Sequence, residues 1–180
     1  MSTAEQLTQW IKLQHEGQLI KRTNQPYFAH LLAVAEMAGK ATALGYEIGL
    51  CHDLFEETNN TVDTLLGALK SFGYNDENAN HITGAVIALT DVFTAAAYPD
   101  LSKKDRKKRE AKRLVTISPD AQTVKYCDLI YNIGWVLEYD EKHAKKYLKK
   151  KRKLLKAMLG GDQRLREDAL KIIDKALDKL

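Results

Sequence analysis

Apolar residues recur at three- and four-residue intervals through nearly the whole chain, and no segment alternates as a half-buried strand does, so the pattern predicts an all-α protein. Ser2 and Thr3, followed by Glu5 and Gln6, form a capping-box arrangement that opens a first helix, running to about Glu16 and stopped by Gly17. A loop ends at Pro26. From Tyr27, the positions Leu31, Leu32, Ala35 and Ala38 make one apolar stripe, carried to about Leu44 and closed by Gly45. A third helix is expected from Tyr46 unbroken through His52, Asp53, Glu56 and Glu57, ending at the polar cluster Thr58-Asn59-Asn60. A fourth covers Val62 to Phe72, with Gly73 as its stop, and a fifth Glu77 to Thr90. Val92 to Pro99 reads as irregular, and a basic helix begins near Ser102. Ser118 and Pro119, cap then first helical residue, start the helix that carries Asp128 and Asn132. Asp140 is expected to cap the next helix, Gly160-Gly161 to break it, and the tail to form a last amphipathic helix. No repeat or Pro/Gly-rich linker divides the chain, so one domain, 1–180, is expected.

Composition narrows the class. With 180 residues, 44% of them hydrophobic and 29% charged, the chain can form a packed core that buries about two-thirds of its unfolded surface. Two cysteines are too few for a disulfide scaffold, and the N-terminus lacks a signal-peptide pattern, so a cytoplasmic home is expected. No apolar run approaches the roughly 18 residues needed to cross a bilayer, so no membrane partner is expected. The net charge of +4 is concentrated in Lys103 to Arg113 and Lys142 to Lys156. Such stretches either attract phosphate groups or nucleic acid, or are solvated helix faces.

Two polar islands interrupt the apolar pattern. His52-Asp53 lies between Gly49-Leu50-Cys51 and Leu54-Phe55, where an unpaired carboxylate is expensive to bury. On a continuous helix His52 shares a face with Glu56 and Asp53 with Glu57, a crowded anionic edge. A divalent cation relieves that repulsion; alternatively the glutamates point to water, and spacing alone does not choose. Asp128 and Asn132, four apart within Val124 to Val136, suit either a ligand with a substrate contact or a structural hydrogen-bonded pair. Cys51 and Cys127 point about 100° away from their polar neighbours, toward core packing rather than ligation. His81 and His143 lie in polar surroundings and are expected at the surface.

The string His52-Asp53-Leu54-Phe55-Glu56-Glu57-Thr58, with Pro26-Tyr27-Phe28-Ala29-His30 before it and Lys125-Tyr126-Cys127-Asp128-Leu129-Ile130-Tyr131-Asn132 after it, resembles the hydrolase domain of the RelA/SpoT family. The likeness is to the stand-alone small alarmone hydrolases of the metazoan SpoT homologue type. It includes His15-Glu16-Gly17-Gln18 and covers residues 15–132 with the motifs in the family's order, leaving 140–180 as packing helices.

The resemblance implies an HD-domain helical bundle with a metal site between helices. It implies hydrolysis of the 3′-pyrophosphate of guanosine tetra- or pentaphosphate with one Mn²⁺, releasing pyrophosphate and GDP or GTP. By motif matching, His30, His52, Asp53 and Asp128 fall on the metal ligands. Glu56 and Glu57 fall on the catalytic acidic pair, Glu57 standing where the family usually has aspartate. Asn132 falls on a nucleotide contact, and Lys21 and Arg22 fall near the basic pair that packs against the base. Arg106 and Lys107 match an Arg-Lys of the small hydrolases and can clamp distal phosphates, with a solvated basic face as the other reading. Lys125 matches a lysine that either does the same or neutralises the pocket, and Tyr27 and Tyr131 can line it. These residue types suit the chemistry: mixed imidazole and carboxylate ligands bind Mn²⁺, the ion acidifies water, and a nearby glutamate takes the proton.

The chain also departs from the family. Leu31 stands where proline is usual, Leu129 where arginine is common, and Gly134-Trp135 replaces an arginine-containing stretch. The ligands are kept and part of the substrate wall is not. Two other readings therefore stay open: an HD phosphohydrolase acting on an adenosine alarmone, a 5′-nucleotide or NADPH, and a non-catalytic nucleotide-binding sensor. The expected partner is a small nucleotide rather than DNA or RNA, oligomeric state is left open, and no length remains for a synthetase domain.

Overall fold

The capping box at Ser2 forms as expected, Ser2 Oγ accepting from the Glu5 amide at 3.2 Å and the Glu5 carboxylate from the Ser2 amide at 2.7 Å, and it opens α1 (Thr3–Gln14). The computed structural model describes residues 1–180 and continues with α2 (Phe28–Gly39), α3 (Gly45–Cys51), α4 (Leu54–Glu57), α5 (Val62–Ser71) and α6 (Asp76–Leu89). After an irregular stretch come α7 (Lys103–Leu114), α8 (Pro119–Tyr139), α9 (Glu141–Ala157) and α10 (Gln163–Lys179). One isolated antiparallel bridge, Leu19 to Pro26, is the only β pairing. The all-α reading therefore holds, and no helix is long and apolar enough to cross a membrane.

Three expectations are corrected. The second helix stops at Gly39, because residues 40–44 are used in the reversal that folds α3 back along α2, with Leu44 at φ +55°. The third helix is not continuous: it ends at Cys51, the chain turns through His52 and Asp53, and a single-turn helix resumes at Leu54. Asp140 stands between α8 and α9 but its carboxylate makes no cap bond; it meets His143 at 2.9 Å and Arg22 at 3.5 Å instead. Ser118 does cap α8, and Asn75 and Thr61 cap α6 and α5 through their side chains.

α2 and α3 approach closely enough for their backbones to touch. A Cβ on Gly49 would stand 2.7 Å from Ala35 Cα and 2.9 Å from its amide nitrogen, so only glycine fits. The larger apolar core joins Leu7 and Ile11 of α1, Leu31 and Val34 of α2, Ile48 and Leu50 of α3 and Leu65 of α5 to Val124 of α8. A second core packs the opposite side of α8, Tyr126, Leu129 and Ile133, against Leu148 and Leu155 of α9 and Ile173 of α10. Tyr126 ties the two layers: its hydroxyl donates to Met158 O at 2.7 Å, and Asp162 N donates to Thr123 Oγ1 at 2.9 Å, seating the α9–α10 turn on α8. Cys51 and Cys127 are fully buried in the larger core, as their helical phase predicts.

Substituting Gly49→Ala forces backbone apart at the α2–α3 contact. Chemical denaturation should register a loss of about 1–3 kcal/mol, the usual cost of overpacking. Gly84→Ala, where nothing lies within 4 Å of the new methyl, is the control. It should leave stability unchanged or raise it by about 0.5–1 kcal/mol through helix propensity.

Candidate metal and nucleotide site

The break after Cys51 is what makes the adjacent residues His52 and Asp53 useful together. On a continuous helix neighbouring side chains diverge by about 100°. With Asp53 at φ −103°, ψ 4°, its Oδ2 instead lies 3.1 Å from His52 Nε2. His30, in the first turn of α2, brings its Nε2 to 3.2 Å from His52 Nε2 and 3.5 Å from Asp53 Oδ2. Asp128 reaches in from the middle of α8, its Oδ1 3.5 Å from His30 Nε2 and 3.8 Å from His52 Nε2. The four residues the sequence singled out are thus gathered from α2, the turn after α3, and α8; His30, His52 and Asp53 form a group able to hold a metal ion, with Asp128 beside that group.

The donor set fits a divalent cation. With metal–ligand bonds of about 2.1 Å, neighbouring donors of an octahedron stand about 3.0 Å apart, close to the spacings here. His52 Nδ1 lies 2.7 Å from Gly49 O, which as a carbonyl only accepts, so Nδ1 carries a proton. The neutral ring then turns the bare lone pair of Nε2 to the cluster, the tautomer that ligands adopt. Without a cation, the burial of His52 opposes charging, but the Asp53 and Asp128 carboxylates outweigh it and push the imidazole up to about 9. Burial likewise works against ionising Asp53 and Asp128, yet both are held low, Asp53 chiefly by His52 and Asp128 chiefly by Lys125. The cluster compensates its carboxylates with whatever positive charge is present.

Neighbouring side chains fix these groups. Tyr27, stacked on His15 with ring centroids 5.6 Å apart, donates its hydroxyl to Asp53 Oδ2 at 2.6 Å. Asn132 donates to Asp128 Oδ1 at 2.5 Å and Lys125 to Asp128 Oδ2 at 2.7 Å, so the pair on α8 is at least a structural one. Tyr131 lies against His30, ring centroids 4.5 Å apart.

Glu56 and Glu57 are placed differently from the continuous-helix expectation. Glu56 Oε1 accepts from the amide of Asp91 at 2.7 Å. Its carboxyl is crowded on the cleft wall; desolvation and the carboxylates of Asp91 and Asp53 outweigh the Asp91 amide and Lys125 and push it up to about 7. Glu57 joins Gln14, Gln18 and Asn60 around an open polar cavity of about 560 Å³. Glu56 borders that cavity too.

The basic residues divide. Arg22, with φ +62°, bonds the Tyr139 carbonyl and lies 5.7 Å from the Trp135 ring, while Trp135 Nε1 donates to Lys21 O at 2.9 Å. The segment carrying Lys21 and Arg22 is therefore fastened to the end of α8, and the Arg22 guanidinium is already engaged. Arg106 spends its guanidinium on the carbonyls of Leu101 and Tyr98. Arg106 nonetheless borders, with Lys107 and Lys125, a common cavity of about 340 Å³. His81 and His143 are exposed, each beside a carboxylate.

That cavity also contains residues the sequence reading passed over: Tyr147, Lys150 and Lys151 of α9. Burial and the charges of Lys125 and Lys107 pull Lys151 down to about 8, against Asp128 and Asp91, so the pocket is short of anions. A signal existed. Lys151 occupies an apolar stripe, Ala144, Leu148, Leu155 and Met158, at helical spacing, where a cation is out of pattern.

No protein-family profile matches the chain, and no curated protein matches it by sequence. The fold does have a solved counterpart. A structure described as a metazoan ortholog of SpoT, which hydrolyzes ppGpp and plays a role in starvation responses, superimposes with a TM-score of 0.77 at 18% identity, over 100% of this chain and 98% of that one. This chain shares that protein's helical fold, with a His/Asp cluster able to hold a metal at its centre.

Proposed function

We propose that the chain is a metal-dependent phosphohydrolase that removes the 3′-pyrophosphate of guanosine tetra- or pentaphosphate with Mn²⁺. The observation that carries this reading is the convergence of His30, His52, Asp53 and Asp128 beside an anion-poor lysine cavity. The shared fold of a ppGpp hydrolase supports the choice of substrate.

In this reading His30, His52, Asp53 and Asp128 hold the ion. Bound there, Mn²⁺ would supply Lewis-acid polarisation of a phosphoryl oxygen and lower the pKa of water. Tyr27 and Asn132 keep the two carboxylates aimed. Glu56, poised near neutrality, accepts a proton from the attacking water, and Glu57 lines the open side by which that water enters. Lys107, Lys125, Lys150 and Lys151 offset phosphate charge away from the reacting group, and a polyanion there raises Lys151 back toward the ordinary lysine range. Lys21 stands on the fastened segment at the far end of α8, on the side assigned to the base. The engaged Arg22 guanidinium and Trp135 favour a base compartment unlike the family's. Adenosine alarmones, 5′-nucleotides and NADPH therefore belong in the same substrate panel.

Incubation of purified protein with Mn²⁺ and guanosine tetraphosphate should release pyrophosphate and GDP. If metal-loaded protein leaves this nucleotide intact, the substrate is another member of the panel, and turnover of none of them leaves a nucleotide sensor. Metal titration should find Mn²⁺ affinity at least about 10-fold weaker in His52→Ala and in Asp128→Asn, since the first removes a ligand and the second a ligand's negative charge. Unchanged affinity would remove the metal assignment.

Glu56→Gln should keep Mn²⁺ affinity while lowering kcat by about 10²–10⁴-fold, the range for a lost general base. The sign with pH follows. A raised carboxyl accepts a proton only once ionised, so kcat should fall as pH drops through about 7, with the limb displaced lower by a bound cation, and Glu56→Gln should abolish that limb. Lys151→Gln should raise KM more than it lowers kcat, and kinetics in which only kcat changes would contradict a phosphate-binding role.

A further inference from the structure

Glu110 is out of character in its helix. α7 carries eight Lys or Arg among its 12 residues and is largely exposed, yet Glu110 is only 8% exposed. A carboxylate survives there only with full compensation. Its Oε1 accepts from Arg113 Nε at 2.7 Å, and its Oε2 accepts from the amides of Val92 and Phe93, each at 3.1 Å. Arg113 is committed to the same stretch of chain, donating to Ala88 O at 2.7 Å and Thr90 O at 3.0 Å.

The ion pair therefore grips carbonyls on one side of Asp91 and amides on the other. Residues 90–94 belong to no helix, so no ladder of their own holds them. The amide between the two grips is that of Asp91, and it donates to Glu56 Oε1. The segment also lends Asp91 and Phe93 to the wall of the lysine cavity.

We propose that the Glu110–Arg113 ion pair is a positioning unit for Glu56: by clamping residues 88–93 it fixes the Asp91 amide that aims the Glu56 carboxylate. Glu110 borders the lysine cavity, but its carboxylate is taken up by Arg113 and the Val92 and Phe93 amides, so the pair acts through backbone. The inference rests on the reading of Glu56 as proton acceptor.

A double-mutant cycle with guanosine tetraphosphate as substrate tests it, read together with amide hydrogen exchange. Glu110→Ala should lower kcat by about 10- to 100-fold, the scale of a small misplacement of a reacting group, with Mn²⁺ affinity unchanged. Exchange should become fast at Asp91, Val92 and Phe93 while α8 stays protected. Glu110→Gln keeps a carbonyl acceptor for the two amides and should recover most of the activity. In a Glu56→Gln background, Glu110→Ala should cost nothing further, because residues acting through one group are not additive. Additive losses, or full kcat with the segment released, would overturn the clamp while leaving Glu56 as base. Full kcat in Glu56→Gln alone would instead overturn the base, and the clamp with it. Should Glu110→Ala fail to fold, Glu110→Gln combined with Arg113→Met strands neither charge and carries the same cycle.

Discussion

The backbone of α3 rests on that of α2 at Gly49 and Ala35, and the cluster depends on that contact. It sets the distance between His30 on one helix and His52 at the end of the other. The same glycine presents its carbonyl to His52 Nδ1, so one residue determines both the place of the ring and its tautomer. A side chain at position 49 would push the helices apart and move the imidazole with them. The chain then turns immediately after Cys51, and that turn lets consecutive residues point at one spot.

Charge compensation governs everything around this point. Asp128 is nearly inaccessible and Asp53 only partly open, and a carboxylate so placed costs several kcal/mol unless paired. Lys125 satisfies the Asp128 oxygen turned away from the imidazoles, while Tyr27 and Asn132 donate to the carboxylate oxygens that face them. The arrangement tolerates a cation because the two Nε2 atoms and Asp53 Oδ2 already face one another, with Asp128 Oδ1 3.5 Å from His30 Nε2, and it would be strained by a hydrophobic replacement of any single member. Cations are balanced less completely farther out, where Lys107, Lys150 and Lys151 outnumber the acids of their cavity. That imbalance is an electrostatic reason to expect a phosphorylated ligand.

α8 connects the parts. One of its faces carries Val124 and Cys127 into the larger core, another carries Leu129 and Ile133 into the C-terminal one, and Asp128 lies at the seam. Packing against α9 brings Lys151 beside Lys125, while the far end of α8 holds the 21–22 segment through Trp135. The departures at Leu129 and Trp135 thereby acquire structural roles: the first is buried in the core, the second is an anchor. Of the C-terminal helices, which carry no recognisable motif, α9 also lends Tyr147, Lys150 and Lys151 to the lysine cavity.

Local rules were enough to read the class and most of the elements. Apolar periodicity, the Ser2 box, the Ser118-Pro119 start and the phase of Cys51 and Cys127 depend on residues within a turn of one another, and each is found as expected. His52-Asp53 and Asp128 were legible as polar islands because burying them unpaired is costly. What could not be read locally was the break between Cys51 and Leu54, since nothing there is a helix breaker and the turn is imposed by packing on α2 and α8. Nor could spacing reveal that Asp91 would hold Glu56, that Arg22 and Arg106 would spend their guanidiniums on carbonyls, or that Lys151 would meet Lys125. Apart from those of Arg106, whose carbonyls lie five and eight positions back, these are contacts between residues far apart in the chain. Their identity depends on how helices cross, so the sequence by itself determined which residues needed partners, and only the tertiary structure decided which partners they found.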